Sequence, residues 1–111
     1  MKETDVVLAL LPQSDGALKR RPALILRQMP PFRDYLLCGI STRLHQQVKN
    51  FDEIISPDDN DFSSSGLVGV SLIRLGFLSV MPSEDIIGLL GSISKERHRR
   101  LLKNLSDYLI K

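Results

Sequence analysis

The sequence predicts a mainly β, α+β fold: a small β-barrel closed by one C-terminal amphipathic α-helix. Three observations predict it. Short apolar runs rich in valine, leucine and isoleucine alternate with proline and glycine turns, the pattern of many short strands. The longest such run, Leu67 to Met81, contains Gly69, Ser71, Gly76 and Ser79, and glycines inside a strand mark the bends and bulges by which a small sheet curls. Only the last stretch changes period, where Leu101, Leu102, Leu105, Tyr108 and Leu109 fall on one stripe of a helix. At 111 residues, positions 1–111 read as a single domain with a modest hydrophobic core.

Val6-Val7-Leu8-Ala9-Leu10-Leu11, stopped by Pro12, reads as the first strand. Gln13-Ser14-Asp15-Gly16 has turn chemistry, and the loop is expected to continue through Lys19–Arg21. Pro22 pushes Arg21 towards an extended conformation, so Arg21 is expected at a loop-to-strand junction ahead of the strand Ala23–Leu26. Beyond Met29-Pro30-Pro31, Tyr35–Ile40 is the third strand, with Ser41 and Thr42 at its far end. Arg43 to Asn50 is polar, a loop or a strand extension, and Phe51–Ile55 suits a short strand. Ser56 to Ser65 is rich in Asp and Ser without apolar periodicity and reads as an exposed loop. Ile86–Leu90 suits strand or helix, because Pro82-Ser83-Glu84-Asp85 is able to open a helix. In the terminal helix Ser94 is the expected N-cap, with Glu96 well placed in the first turn. Lys95, Arg97, Arg99, Arg100 and Lys103 crowd the same half, where cations oppose the helix dipole, and a solvated face is the plain reading of them.

Composition narrows the function classes. With 42% hydrophobic and 25% charged residues, the chain has the make-up of an ordinary globular domain. Cys38 is the sole cysteine, which excludes an internal disulfide or a cysteine zinc cluster and suits a reducing cytosol. The first residues lack a signal-peptide pattern, and no apolar run approaches the ~20 residues a bilayer span requires, so a cytoplasmic location is expected. The net charge of +2 is too small to announce nucleic-acid binding. Its distribution is uneven: 8 cations and 4 anions in residues 1–50, 7 and 4 in 71–111, and 5 anions with no cation in 51–70. Such segregation produces either a basic face that attracts phosphates or scattered, solvated charge.

Several standard sites are absent: there is no GxxxxGK[ST] loop, GxGxxG, HExxH or GxSxG, and no cofactor is implied. Asp52, Glu53, Asp58, Asp59 and Asp61 lack the glycine and distal glutamate of a calcium loop, so a solvated acidic loop without metal is expected. His98, at the edge of the helix's apolar stripe, reads as a packing residue and His45 as a polar surface residue. What remains is a cationic constellation. Lys19-Arg20-Arg21 runs into Pro22 and a strand, Ser41 and Thr42 end another, and Arg74 interrupts the apolar Leu72-Ile73-Arg74-Leu75. Arginine grips phosphate through a planar fork of donors and stays charged at any ordinary pH. An unpaired buried cation is costly, so Arg74 needs either an opening to solvent or a structural ion pair with a loop aspartate.

At these residues the chain resembles the MazF/PemK family, the toxin halves of bacterial type II toxin–antitoxin pairs. Thr4-Asp5-Val6-Val7 is similar to the family's opening Gly-Asp-Val strand, with Thr4 in place of the glycine. Arg21-Pro22-Ala23-Leu24-Ile25 matches Arg-Pro-(Val/Ala)-Leu-Val, and Gly39-Ile40-Ser41 matches a strand end usually closed by threonine. Ser71–Leu75 matches Ser-Val-Val-Arg-Leu, and Leu89–Ser94 matches the Leu-Gly-x-Leu-Ser that leads into the terminal helix. The resemblance implies an SH3-like barrel, usually a homodimer, that cleaves single-stranded RNA such as mRNA at short sequences without a metal. In that chemistry the RNA's own 2′-hydroxyl attacks the adjacent phosphate, leaving a cyclic phosphate and a 5′-hydroxyl. The resemblance implies catalytic roles for Arg21 and Ser41 and a contribution from Arg74, expected as an RNA contact; the neighbouring Lys19, Arg20 and Thr42 are expected to contact RNA as well. It also implies neutralisation by a cognate MazE-like antitoxin whose acidic C-terminal segment covers the site.

The stretch after the strand arginine departs from that pattern. The acidic residue that follows the strand arginine by two in one branch is Gly76 here, and the family's Gln-(Ile/Leu/Pro)-Arg-Thr reads Phe77-Leu78-Ser79-Val80. The competing reading is a non-catalytic barrel that binds RNA or protein. A CcdB-like gyrase poison ranks last, because that family's helix ends in Trp-Gly-Ile and this chain has no tryptophan.

Overall fold

The computed structural model describes residues 1–111, folded as strands β1 (Asp5–Pro12), β2 (Leu18–Met29), β3 (Asp34–Ser41), β4 (Glu53–Ile55), β5 (Ser71–Met81) and β6 (Ile86–Ser92). A one-turn helix, α1 (Phe62–Ser65), lies between β4 and β5, and α2 (Lys95–Leu109) ends the chain. The strands form one antiparallel sheet in the order β4-β5-β3-β2-β1-β6. Successive strand residues point to opposite faces, so the apolar runs serve two cores. On one face Leu24, Leu26, Cys38, Ile40, Ile73 and Leu75 pack against Leu101 and Leu105 of α2. On the other, Val7, Ala9, Leu11, Ala23, Ile25 and Leu37 surround Tyr35, Met81 and Ile86. This is the small barrel expected, curled but incompletely closed, since the edge strands β4 and β6 do not pair. The segment carrying α1 spans that gap: Ser64 Oγ donates to the Ser92 carbonyl at 2.9 Å. Gly91 lies so close beneath the Ser64–Ser65 backbone that a Cβ there would overlap it.

Several elements differ from the sequence reading. β2 begins at Leu18, so Lys19, Arg20 and Arg21 lie on a strand opposite Leu11, Leu10 and Ala9 and not in a loop. The Asp15-Gly16 turn explains this: Gly16 has φ +85°, Asp15 Oδ1 accepts the Ala17 N–H at 2.9 Å, and the hairpin ladder starts immediately afterwards. β5 begins at Ser71 instead of Leu67, and Ile86–Ser92 is a strand preceded by a short 3₁₀ turn at Ser83–Asp85. In α2 the Ser94 cap is as expected, its Oγ accepting the Arg97 N–H at 3.1 Å. The apolar stripe outlasts the surface it packs on: Leu101 and Leu105 are buried, whereas Tyr108 and Leu109 are exposed. Tyr108 leans on Phe51 instead, with ring centroids 5.1 Å apart.

The largest correction concerns charge. Neither the acidic stretch nor the head of α2 is merely solvated, because Arg97 lies four residues before Leu101 on the buried stripe. There its guanidinium meets Asp61 (Nε to Oδ2, 2.9 Å), Glu53 (2.8 Å) and Asp59 (3.1 Å). Arg100 adds a bidentate contact to Glu53, both bonds 3.0 Å. Asp61 also accepts the Ser94 N–H at 3.0 Å, tying the loop to the helix cap. Burial alone would raise the Asp61 pKa, but the bonds from Arg97 and Ser94 outweigh it and hold the carboxyl below its usual value. Burial pulls the Arg97 pKa down, and the bond and charge of Asp61, with Glu53 and Asp59, more than reverse this and raise it. His98 is buried as expected, its Nε2 3.1 Å from the Ile25 carbonyl.

Candidate nucleic-acid cleft

On the sheet face opposite α2, the ends of β2, β3 and β5 border a cleft of about 890 Å³. Arg21, Ser41, Thr42 and Arg74 all line it, so residues from three strands and 53 positions of sequence meet in one place. Strand register explains the convergence. Ala23 pairs with Gly39 and Gly39 with Arg74, which sets all three on the same face. Two residues from Ala23 and from Gly39, respectively, Arg21 and Ser41 share that face. Lys19 and Arg20 are exposed and do not line the cleft, and Arg20 points to the opposite side of β2 from Arg21.

The lining is cationic without compensation. Arg21, Arg43 and Arg74 contribute three guanidinium groups, and no carboxylate, imidazole or thiol accompanies them. None of the three makes an ion pair, so the structural salt bridge considered for Arg74 does not form. Arg74 is half-buried and lies over the ring of Phe77, with Cζ 5.7 Å from the centroid. Ser41 Oγ accepts the Arg43 N–H at 3.0 Å, which fixes the hydroxyl oxygen and leaves its hydrogen free to donate. Gln13 and Gln46 add neutral polar groups at the rim. Concentrated positive potential with hydroxyl donors beside it can bind an anion and stabilise negative charge developing on it.

Cys38 adjoins Gly39 but faces the other core, where burial and then the nearby Asp52 charge push its pKa up to about 12. It is therefore an inert packing thiol. His45 sits exposed in a 3₁₀ turn (Leu44–Gln46) and is not part of the lining. Arg43 and the two glutamines escaped the sequence reading; the one available signal was a third arginine directly after the hydroxyl pair Ser41-Thr42.

A curled antiparallel sheet with a terminal helix on one face is a MazF-like fold. Among solved structures, the chain is similar to the Mycobacterium tuberculosis toxin MazF-mt6. It superposes with a TM-score of 0.70 over 96% of both chains, at 17% sequence identity. No protein-family model and no curated protein matches the sequence.

Proposed function

We propose that the chain is a type II toxin: a metal-independent, sequence-specific endoribonuclease of the cytoplasm that cuts single-stranded RNA and is neutralised by a cognate acidic antitoxin. The observation that carries this reading is the convergence of Arg21, Ser41 and Arg74 in a cleft with no acidic side chain. The likeness of the whole chain to a MazF toxin supports it. Arg21 and Arg74 clamp the scissile phosphate, and the Ser41 and Thr42 hydroxyls donate to its non-bridging oxygens. The 2′-hydroxyl oxygen attacks phosphorus, the bond to the 5′-oxygen breaks, and that oxygen takes a proton from water and leaves as a hydroxyl. Catalysis consists of alignment and of stabilising the phosphorane, whose extra charge two guanidinium groups meet. With no imidazole or carboxylate in the cleft, the 2′-hydroxyl proton passes to solvent. Lys19 and Arg20, outside the cleft, meet flanking phosphates, and the working form is a homodimer.

One observation favours a second reading. The absence of any side chain able to accept a proton at neutral pH also suits a barrel that holds RNA without cutting it. A single assay separates the two. Purified protein in EDTA should convert a mixed single-stranded RNA to fragments bearing cyclic phosphate and 5′-hydroxyl ends, and Arg21→Ala should abolish this. Intact RNA at micromolar protein, bound but uncut, would sink the nuclease and leave the binding module.

A further inference from the structure

We propose that Phe77 is the positioning residue of Arg74: its ring, seated on Gly39, holds the guanidinium in the cleft without neutralising it. The placement comes from an insertion in β5. Cys38 and Gly39 are consecutive in β3, yet their partners are Leu78 and Arg74, so Leu75, Gly76 and Phe77 form a three-residue bulge. The bulge is fastened from below. The Leu75 N–H has no ladder partner and donates instead to Asp52 Oδ1 at 2.9 Å, while the other oxygen of this buried carboxylate accepts the Val48 N–H at 2.9 Å.

The returning arm lays the Phe77 ring on β3, where only a missing side chain makes room. A Cβ on Gly39 would stand 2.8 Å from Phe77 Cδ2, closer than a side chain tolerates. Arg74 Cζ then lies 5.7 Å from the ring centroid, inside the ~6 Å over which a ring face attracts a cation. No carboxylate competes for that guanidinium. The chemistry differs from that of an acidic neighbour, which would orient an arginine while cancelling its field and repelling a phosphate. A ring orients it and leaves the full charge, and the outward N–H fork, for the anion.

The effect on RNA rests on the function proposed above; the orientation of Arg74 does not, and the test separates them. In ¹⁵N-labelled free protein, the Arg74 Nε–Hε signal, assigned by its loss in Arg74→Lys, should be shifted by the ring current. It should keep that shift in Phe77→Tyr and lose it in Phe77→Leu. Gly39→Ala, which displaces the ring, should also lose it, and serves in place of Phe77→Leu if melting shows that variant unfolded. Affinity for an uncleavable strand, with deoxyribose at the scissile position, should fall about 3- to 30-fold in Phe77→Leu. It should return to wild type in Phe77→Tyr, and Phe77→Leu should add nothing in an Arg74→Gln background. An Arg74 signal unmoved by Phe77→Leu or Gly39→Ala in folded protein overturns the proposal, as does an equal loss of affinity with and without Arg74. If wild type binds no RNA, the proposed function fails, and the Nε–Hε signal still decides the role of Phe77.

Discussion

Two groups of arginines in this molecule have opposite surroundings. Arg97, at the head of α2, is enclosed by Glu53, Asp59 and Asp61, and the more exposed Arg100 pairs with Glu53. Arg21, Arg43 and Arg74, across the sheet, have no acidic neighbour at all. The acidic stretch 51–61 is thus spent on folding, tying β4, the α1 segment and α2 together. Of the cations left without an internal ion pair, three guanidinium groups line the cleft together. Residue type does not distinguish the two groups; the partners do. The first should govern stability and the second the handling of a polyanion, and substitutions can break or sharpen that division.

The largest effect is expected at Arg97. Arg97→Met strands the buried Asp61 carboxylate beside Glu53 and Asp59, and should cost about 3–5 kcal/mol in urea denaturation. Arg21→Ala is the mirror case: RNA cleavage should fall by about 100-fold or more, while stability stays within about 0.5 kcal/mol of wild type. An Arg21→Ala protein that melts early would blur the division. Acid should act on the first group alone. Asp61 has a lowered folded pKa, so its contribution is complete above its unfolded value near 3.8 and is lost as pH falls through the lower folded value. The urea midpoint should therefore drop as pH falls below about 4, and less steeply in Asp61→Asn.

The pH dependence of cleavage should differ in kind. With no imidazole or carboxylate in the cleft, the rate constant should rise continuously with pH, without an inflection near the histidine value of about 6.5. Such an inflection would reveal a base outside the lining. The smallest effect concerns neither group. Thr4 has φ +83°, a strained conformation for a β-branched residue, while its backbone bonds Ile25 and Ile93. Thr4→Gly should raise stability by roughly 0.5–1 kcal/mol, the relieved strain less the entropy glycine adds to the unfolded chain.

Much of this was legible in the sequence. Proline, glycine and strand-length apolar runs located β1, β3 and most of β5, and Ser94 capped α2 as expected. Arg21, Ser41, Thr42 and Arg74 stand out in the sequence as residues that a small barrel can bring together, and they line one cleft. What was hidden depended on pairing across the chain. Lys19–Arg21 looks like loop because the ladder that makes it strand lies on β1. Arg97 looks like surface because its three carboxylates come from 36 to 44 residues upstream, although its i−4 spacing from Leu101 already marked it as facing inward. The bulge that places Phe77 on Gly39 has no local signature beyond Gly76, since it exists only as a register shift between β3 and β5.

The division between the two arginine groups is tested most directly by the salt dependence of binding to an uncleavable single strand. Fluorescence anisotropy would compare wild type, Arg21→Ala and Arg100→Ala, each checked for folding. Losing Arg21 should weaken binding and flatten the plot of log affinity against log salt by about 0.7, the value of one phosphate contact, while Arg100→Ala should leave slope and affinity at wild type. Equal losses in the two variants, or a wild-type protein that does not bind, would contradict the assignment of the cleft to RNA.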